Sequence, residues 1–136
     1  MANTTFTGPV RSENGFESIT KNGTTGAITT NASYGSTITG GVQALSGAGA
    51  ADLTNLVTEL TTGAGAAAVT LANGTTAGQI KIITMVVDGG GTATITPATF
   101  ANGTSIAFAD VNDTVVLVYA NTIGWVVAAN TGGVIS

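Results

Sequence analysis

The sequence predicts an all-β protein: a small antiparallel β-sandwich or barrel with an extended N-terminal arm. Three observations predict this fold class. Thr and Gly together make up about a third of the chain; Thr suits pleated strands, and Gly permits tight turns. Short β-branched runs recur roughly every ten residues, as in sandwiches and barrels. Turn dipeptides such as Asn-Gly separate these runs, which indicates strands joined by short connections.

The first 21 residues form the predicted arm. They show no sustained alternation of apolar and polar residues, and a proline within them holds its neighbours extended. Two phenylalanines in a segment without its own core would be exposed unless they are buried against another surface, and the charged pair between them could add hydrogen bonds that fix the register. The residues expected to contact another protein are Phe6, Pro9, Arg11, Glu13 and Phe16. The alternative is that the arm folds back on its own domain.

Residues 22–51 are predicted to form a hairpin followed by a connector. Asn22-Gly23 lies between β-branched runs, and Asn-Gly in that setting is a strong hairpin signal. The following stretch, TGGVQALSGAGAAD, is rich in Gly and Ala and lacks bulky side chains. It is typical of a flexible connector or a tightly packed loop.

Residues 52–136 are predicted to form the sandwich or barrel core, and the first part of this region is ambiguous. In residues 52–62, the apolar residues Leu53, Leu56, Val57 and Leu60 recur at helical spacing behind Asp52, a possible helix N-cap. Leu56, Thr58 and Leu60 also alternate as in a strand. The threonines and the Gly-Ala-Gly that follows favour a strand.

Later segments give clearer strand signals: AAAVTL, GQIKIITMVV, TATITP, TSIAF, TVVLVYA and GWVVAAN. Pro97 predicts a strand end or an edge, and Asn121 to Gly124 a turn between two apolar strands. The triplet NGT recurs at Asn22, Asn73 and Asn102 with spacings of 51 and 29 residues. Because these spacings share no period, we interpret the triplet as recurring turn chemistry and not as a solenoid repeat.

The composition argues against several functional classes. Charged residues make up 7% of the chain, the net charge is −4, and the three basic residues are scattered, which does not suit a nucleic-acid partner. With neither Cys nor His, the commonest general base and the thiolate metal sites are missing, so we expect no catalysis and no cofactor. The longest apolar windows have about eight residues, against roughly 20 for a membrane helix. The polar start MANTTFTGPV lacks a secretory pattern, which predicts synthesis in a cytoplasm.

Three groups of residues are candidate sites. Asp110, Asn112 and Asp113 offer oxygen ligands of the kind that bind Ca²⁺, but a plain turn is the favoured interpretation. Asp88 before three glycines could open a phosphate-binding loop, but a hairpin turn is favoured. Tyr119 and Trp125 flank the last turn, and their alternation with valines predicts a core or a subunit contact.

Two segments resemble known proteins. The opening ANTTFTGPVRSENGF is similar to the start of virion structural proteins of tailed phages, particularly marine ones. The second half resembles a β module that recurs in phage head-decoration, fibre and other virion proteins. It matches in GQIK, in the GGG before TATITP, and in DTVVLVY leading into the Trp strand. Together the two pieces cover about 80 of the 136 residues.

This resemblance implies a capsid decoration, or cement, protein with no catalytic residues. Such a protein would bind the major capsid protein on the outer surface of the head as a homotrimer and stabilise the shell, after synthesis in the host bacterium. One alternative is a fibre or tail-associated module that binds a receptor or glycan, for which Trp125 and Tyr34 are the candidate aromatics. An enzyme such as a cell-wall hydrolase is the weakest alternative, because His and Cys are missing.

Overall fold

A computed structural model describes residues 16–34 and 41–136. The described residues form β-strands, turns and loops, with no helix among them, so the predicted all-β class is confirmed. The chain divides into two compact units between Thr39 and Gly40. The first unit contains a β-hairpin and the second a two-sheet sandwich.

The hairpin consists of β1 (Phe16–Lys21) and β2 (Ile28–Tyr34), which pair antiparallel. The predicted hairpin is therefore present, but its turn differs from a two-residue Asn-Gly turn. Six residues connect the strands, and the left-handed position is Gly26, with φ of 73°. Asn22 closes the loop because its Oδ1 accepts hydrogen bonds from the backbone N–H groups of Thr24 and Thr25.

Ten strands form the sandwich. Sheet I has the order β11-β10-β7-β5-β3, and sheet II has the order β12-β9-β8-β6-β4. Their bounds are β3 Val42–Ser46, β4 Gly49–Ala51, β5 Val57–Thr61, β6 Ala67–Leu71, β7 Ile80–Val87, β8 Ala93–Pro97, β9 Ile106–Phe108, β10 Thr114–Ala120, β11 Gly124–Thr131 and β12 Val134–Ile135.

The strand directions correct the predicted antiparallel sandwich, since both sheets are mixed. From β3 to β8 the chain alternates between the sheets, so that β3, β5 and β7 run parallel in sheet I and β4, β6 and β8 run parallel in sheet II. The later strands β9, β10, β11 and β12 then add antiparallel pairs. This alternating winding resembles the coils of a solenoid, which the spacing of the NGT triplets did not predict.

The connections explain this difference from the prediction. Asp88 and Gly89 lie in the connection that leads from β7 in sheet I to β8 in sheet II, so the predicted hairpin turn at this position is wrong. A turn residue permits the chain to reverse or cross, and its identity does not say which sheet receives the next strand. The connection at residues 88–92 lies against the preceding one at residues 62–66. A Cβ at Gly89 would collide with the backbone of Thr62 and Gly63, so glycine permits this close approach.

The ambiguous region 52–62 contains a strand and no helix. Asp52 does accept backbone hydrogen bonds, from the N–H groups of Thr54 at 3.1 Å and Asn55 at 2.7 Å. The residues after it form bends and then β5, which begins at Val57. The side chain that could have capped a helix closes a loop instead, as short acidic side chains commonly do.

Residues 42–51, assigned to the connector by the sequence analysis, form β3 and β4. Both lie at sheet edges, where small side chains suffice. Gln43 holds them together, because its Nε2 donates to the carbonyl of Ala50 at 2.8 Å and its Oε1 accepts from the N–H of Asp52 at 2.9 Å. This cross-strand bracing stabilises a segment whose composition is typical of a loop.

The core lies between the two sheets and draws side chains from both. Its buried apolar residues are Ala51, Leu60, Ala67, Val69, Leu71, Ile83, Met85, Ala93, Ile95, Ile106, Phe108, Val115, Leu117, Tyr119 and Trp125. The rings of Tyr119 and Trp125 meet edge to face with centroids 5.3 Å apart, which confirms their predicted place in a core. Trp125 Nε1 also donates to the carbonyl of Ala72 at 2.9 Å, which satisfies its buried N–H.

Candidate interaction surface

The predicted contact residues of the arm fall mostly outside the described part of the chain. This applies to Phe6, Pro9, Arg11 and Glu13. Phe16 begins β1, and its Cα pairs with that of Tyr34, so the predicted arm of residues 1–21 ends in a strand. The described residues therefore place Phe16 in a hairpin and leave the other four as predictions.

The acidic cluster after β9 forms a turn. Asp113 Oδ2 accepts hydrogen bonds from the backbone N–H groups of Ala109 at 2.9 Å and Asp110 at 3.0 Å. Asn112 adopts a φ of 76°, a conformation that Asn tolerates better than most residues. The carboxylate thus closes the loop between β9 and β10, which agrees with the turn interpretation.

Asp88 has a similar role after β7. Its Oδ1 accepts from the N–H of Gly90 at 2.7 Å and from the hydroxyl of Thr62 at 3.4 Å. Thr62 in turn accepts from the N–H of Gly89. The carboxylate joins two successive connections between the sheets. Over residues 16–34 and 41–136, no group of three or more Asp or Glu side chains is close enough to hold a metal ion.

A buried lysine, which the sequence analysis did not identify, lies at one end of the sandwich. Lys81 is 1% exposed, and its Nζ donates to the backbone carbonyl of Asn55 at 2.8 Å. The carboxylate of Asp52 lies 3.9 Å from the same Nζ, and Asn55 Nδ2 donates to that carboxylate at 2.6 Å. These contacts fasten the connection between β4 and β5 to strand β7.

The pKa values of both charged groups in this cluster are lowered, each for a different reason. Burial lowers the pKa of Lys81 below its ordinary value of 10.5, and the Asp52 carboxylate partly offsets this effect. The pKa of Asp52 is also lowered, chiefly because its carboxylate accepts the backbone hydrogen bond of Asn55. The cluster therefore joins an ionised Asp to a desolvated Lys and acts as a structural cross-link.

The sequence gives only part of the information needed to predict that Lys81 is buried. Lys81, Ile83 and Met85 alternate along β7 and share its inward face. The other face carries Ile80 and Ile82, which are equally apolar. Because both faces look like core faces, alternation alone cannot tell which one contains the lysine.

The outer faces of the two sheets differ in chemistry. On sheet II the outward positions of the four strands β4, β6, β8 and β9 carry only small or hydroxyl side chains: Ala50, Ala68, Thr70, Thr94, Thr96 and Ala107. Val134 on the edge strand β12 is the apolar addition, at 61% exposure. This face has the composition expected of a strand surface that meets water.

On sheet I the outward positions are mixed. Larger aliphatic side chains lie at Val42, Val57, Ile80, Ile82, Val116, Val118 and Val126. Small or polar side chains lie at Ala44, Ser46, Glu59, Thr61, Thr84, Thr114, Ala120, Ala129 and Thr131. The most open of the aliphatic side chains are Val42 at 55% and Ile80 at 40% exposure. We call this surface the aliphatic face; a contiguous exposed patch of this kind is typical of an interaction surface.

Two further observations limit the possible contacts. Trp125 is fully buried and Tyr119 is 9% exposed, so neither offers an open ring to a ligand. Among the described residues, there is no helix with the length and hydropathy needed to traverse a bilayer.

In the comparisons with known proteins, neither a family model nor a curated protein matches the chain.

Proposed function

We propose that this chain is a structural, non-catalytic virion protein of a tailed phage that decorates the outside of the head. It binds the major capsid protein as a homotrimer and stabilises the shell. The observation that carries the proposal is the aliphatic face, because a charge-poor sandwich with exposed aliphatic side chains on one sheet is suited to assembly. The resemblance of the two sequence segments to phage virion proteins supports the location in a virion.

Stabilisation of the shell follows from mass action. A protein that binds the assembled shell and not the loosened one lowers the free energy of the assembled state. Many copies on one head sum this effect. The low charge of the surface, 7% of residues over the whole chain, allows copies and capsid subunits to come close without burying unpaired charges.

The arm provides the contact with the capsid in this proposal. Phe6 and Phe16 act as apolar anchors, and Arg11 and Glu13 fix the register of the contact. The sandwich then stays available for contacts between copies. This division assigns the two activities, capsid binding and self-association, to different parts of the chain and allows them to be tested separately.

Deletion of residues 2–15 tests the arm, since it spares β1, which begins at Phe16. Phage heads that lack this protein are mixed with purified wild-type chain or with the deletion variant and are then sedimented. Wild-type chain is expected with the heads and the deletion variant in the supernatant. Phe6→Ala is expected to weaken binding at least about tenfold, and Thr7→Ala serves as the matched control. Normal binding by the deletion variant would contradict the role of the arm.

The runner-up is a fibre or tail-associated module. The position of the chain in purified particles distinguishes the two proposals. Immunogold labelling over the whole head surface agrees with decoration, whereas a few copies at the tail agree with the runner-up. Because Trp125 is buried, a glycan site on the runner-up would have to use other residues.

A further inference from the structure

We propose that Asn22 is a site of spontaneous deamidation, where the folded chain converts an asparagine into aspartate and isoaspartate. The proposal concerns the triplet Asn-Gly-Thr, which begins at Asn22, Asn73 and Asn102. The function proposed above gives this triplet no role, and the modification does not depend on that function.

The chemistry is that of an asparagine followed by glycine. The backbone nitrogen of Gly23, after it loses its proton to water, attacks Cγ of Asn22. The new N–Cγ bond forms while the bond from Cγ to Nδ2 breaks, and ammonia leaves with a proton from water. Water then opens the cyclic imide: hydrolysis at Cγ gives aspartate, and hydrolysis at the main-chain carbonyl gives isoaspartate, in which the main chain runs through Cβ. Glycine favours ring closure because it has no Cβ and its backbone turns freely.

The three triplets allow an internal comparison. The two residues that follow each asparagine are the same, and all three asparagines are exposed. A difference in rate between them must therefore come mainly from the folded structure around each one. The further dipeptide Asn14-Gly15 lies outside the described residues and does not enter this comparison.

The contacts of Asn22 are all local. Its Oδ1 accepts the N–H groups of Thr24 at 2.9 Å and Thr25 at 3.1 Å, within the exposed connection between β1 and β2. A Cβ at Gly23 would meet nothing within 4 Å, so the backbone there has room to move. When the side chain rotates, water can replace both hydrogen bonds. The opening that precedes ring closure therefore disturbs no strand and costs little free energy.

Asn73 is held by a distant contact. Its Nδ2, the atom that would leave, donates to the hydroxyl of Thr99 at 3.1 Å. The next residue, Gly74, lies so close to the ring of Tyr119 that a Cβ would come within 2.5 Å of it. Ring closure at Asn73 must first separate two connections and move the backbone away from a core ring.

Asn102 is held in a similar way. Its Oδ1 accepts the N–H of Val127 on strand β11 at 2.9 Å. A Cβ at Gly103 would collide with the backbone carbonyl of Ser136, so this glycine is also closely packed. Rotation of the Asn102 side chain would take the acceptor from a backbone N–H of the sandwich, which makes the opening more costly.

The two products have different effects on the hairpin. Aspartate keeps an oxygen that can accept the N–H groups of Thr24 and Thr25, so the connection retains its shape. Isoaspartate lengthens the main chain by one methylene and moves the carboxylate, so both hydrogen bonds are lost. Either product adds a negative charge to a chain whose net charge is −4.

Peptide mapping of the full-length chain after prolonged incubation at neutral pH tests the proposal. Chymotryptic peptides are sequenced by tandem mass spectrometry, and isoaspartate is labelled with an isoaspartyl methyltransferase. In the folded chain Asn22 is expected to convert first. Asn73 and Asn102 are expected to convert at least about tenfold more slowly, because their distant contacts must open first. In concentrated urea the three sites should convert at similar rates.

Two glycine variants test the site itself. Gly23→Ala should slow conversion of Asn22 at least about tenfold, because the added methyl group hinders ring closure. The far-UV circular dichroism spectrum should not change, since a Cβ there meets nothing within 4 Å. Gly63→Ala, which also adds a Cβ in open space, is the matched control and should leave the rate at Asn22 unchanged.

Thr99→Val tests the protection of Asn73. It keeps the shape of an exposed side chain and removes the hydroxyl that holds Nδ2, so Asn73 should convert faster while Asn22 keeps its rate. The proposal is overturned if Asn73 or Asn102 converts as fast as Asn22 in the folded wild-type chain. It is also overturned if Asn22 stays intact in the folded chain and converts only in urea.

Discussion

The most informative single substitution in the core is Trp125→Phe. Trp125 is fully buried, and its Nε1 donates to the carbonyl of Ala72 at 2.9 Å. Phenylalanine would leave that carbonyl without its partner, which costs about 1–3 kcal/mol. The smaller ring also leaves roughly 40 Å³ unfilled, or about 1 kcal/mol at ~24 cal/mol per Å³. The free energy of unfolding is therefore expected to fall by about 2–4 kcal/mol.

Urea unfolding followed by far-UV circular dichroism measures this loss, since Trp125 is the one tryptophan of the chain and its fluorescence disappears with the substitution. At a slope of about 1.5 kcal/mol per M, the midpoint should shift down by roughly 1–3 M. Tyr119→Phe is the matched control, because it keeps both rings of the edge-to-face pair and removes a single hydroxyl. If Trp125→Phe costs no more than Tyr119→Phe, the bond to Ala72 does not stabilise the sandwich as argued.

Three further predictions concern the connections and the buried cluster. Gly74→Ala should lower the free energy of unfolding by about 1–3 kcal/mol, because a Cβ there would lie 2.5 Å from the ring of Tyr119. Gly63→Ala, where a Cβ meets nothing within 4 Å, should change it by less than about 1 kcal/mol in the same urea assay; equal effects would contradict the steric argument. Asp113→Ala should cost about 1–3 kcal/mol through its two lost backbone bonds, and Asp113→Asn, which keeps an acceptor oxygen, should cost less. Burial lowers the pKa of Lys81 in the folded chain below its ordinary value of 10.5. Between these two values the unfolded chain binds more protons than the folded chain, so the free energy of unfolding should rise with pH over that interval. Lys81→Met should flatten this rise in urea midpoints measured over that interval, and an unchanged rise would assign it to another group.

The strands that the sequence predicts best are those with a strong local signal. β7, β8, β10 and β11 follow from apolar runs bounded by glycine or Asn-rich turns, and Pro97 ends β8 as predicted. The sheet to which each strand belongs depends on contacts between distant residues. The turn at Asp88 has the same composition whether it closes a hairpin or crosses between sheets, so the parallel pairing of β7 with β5 was not predictable from it.

The candidate interaction surface also depends on contacts between distant residues. The sequence identifies the apolar character of β7 and β10. The outward aliphatic side chains are seen to lie side by side only when the strand register pairs Ile82 with Val116 and with Val57. The predicted connector at residues 42–51 is wrong for a related reason. Gly and Ala predict a loop locally, whereas the side chain of Gln43 holds this segment as two edge strands.

The distribution of acidic groups links the fold to the proposed activity. Three of the five acids in residues 41–136, namely Asp52, Asp88 and Asp113, accept backbone N–H groups in connections between strands. These carboxylates stabilise the connections in which they lie, because they bind backbone N–H groups that would otherwise lack a partner. Four of the five acids thus lie in connections between strands, while the outward strand positions carry methyl and hydroxyl groups apart from Glu59 on sheet I. A surface of that composition recognises a partner through shape and apolar area, which suits a protein that works by adhesion.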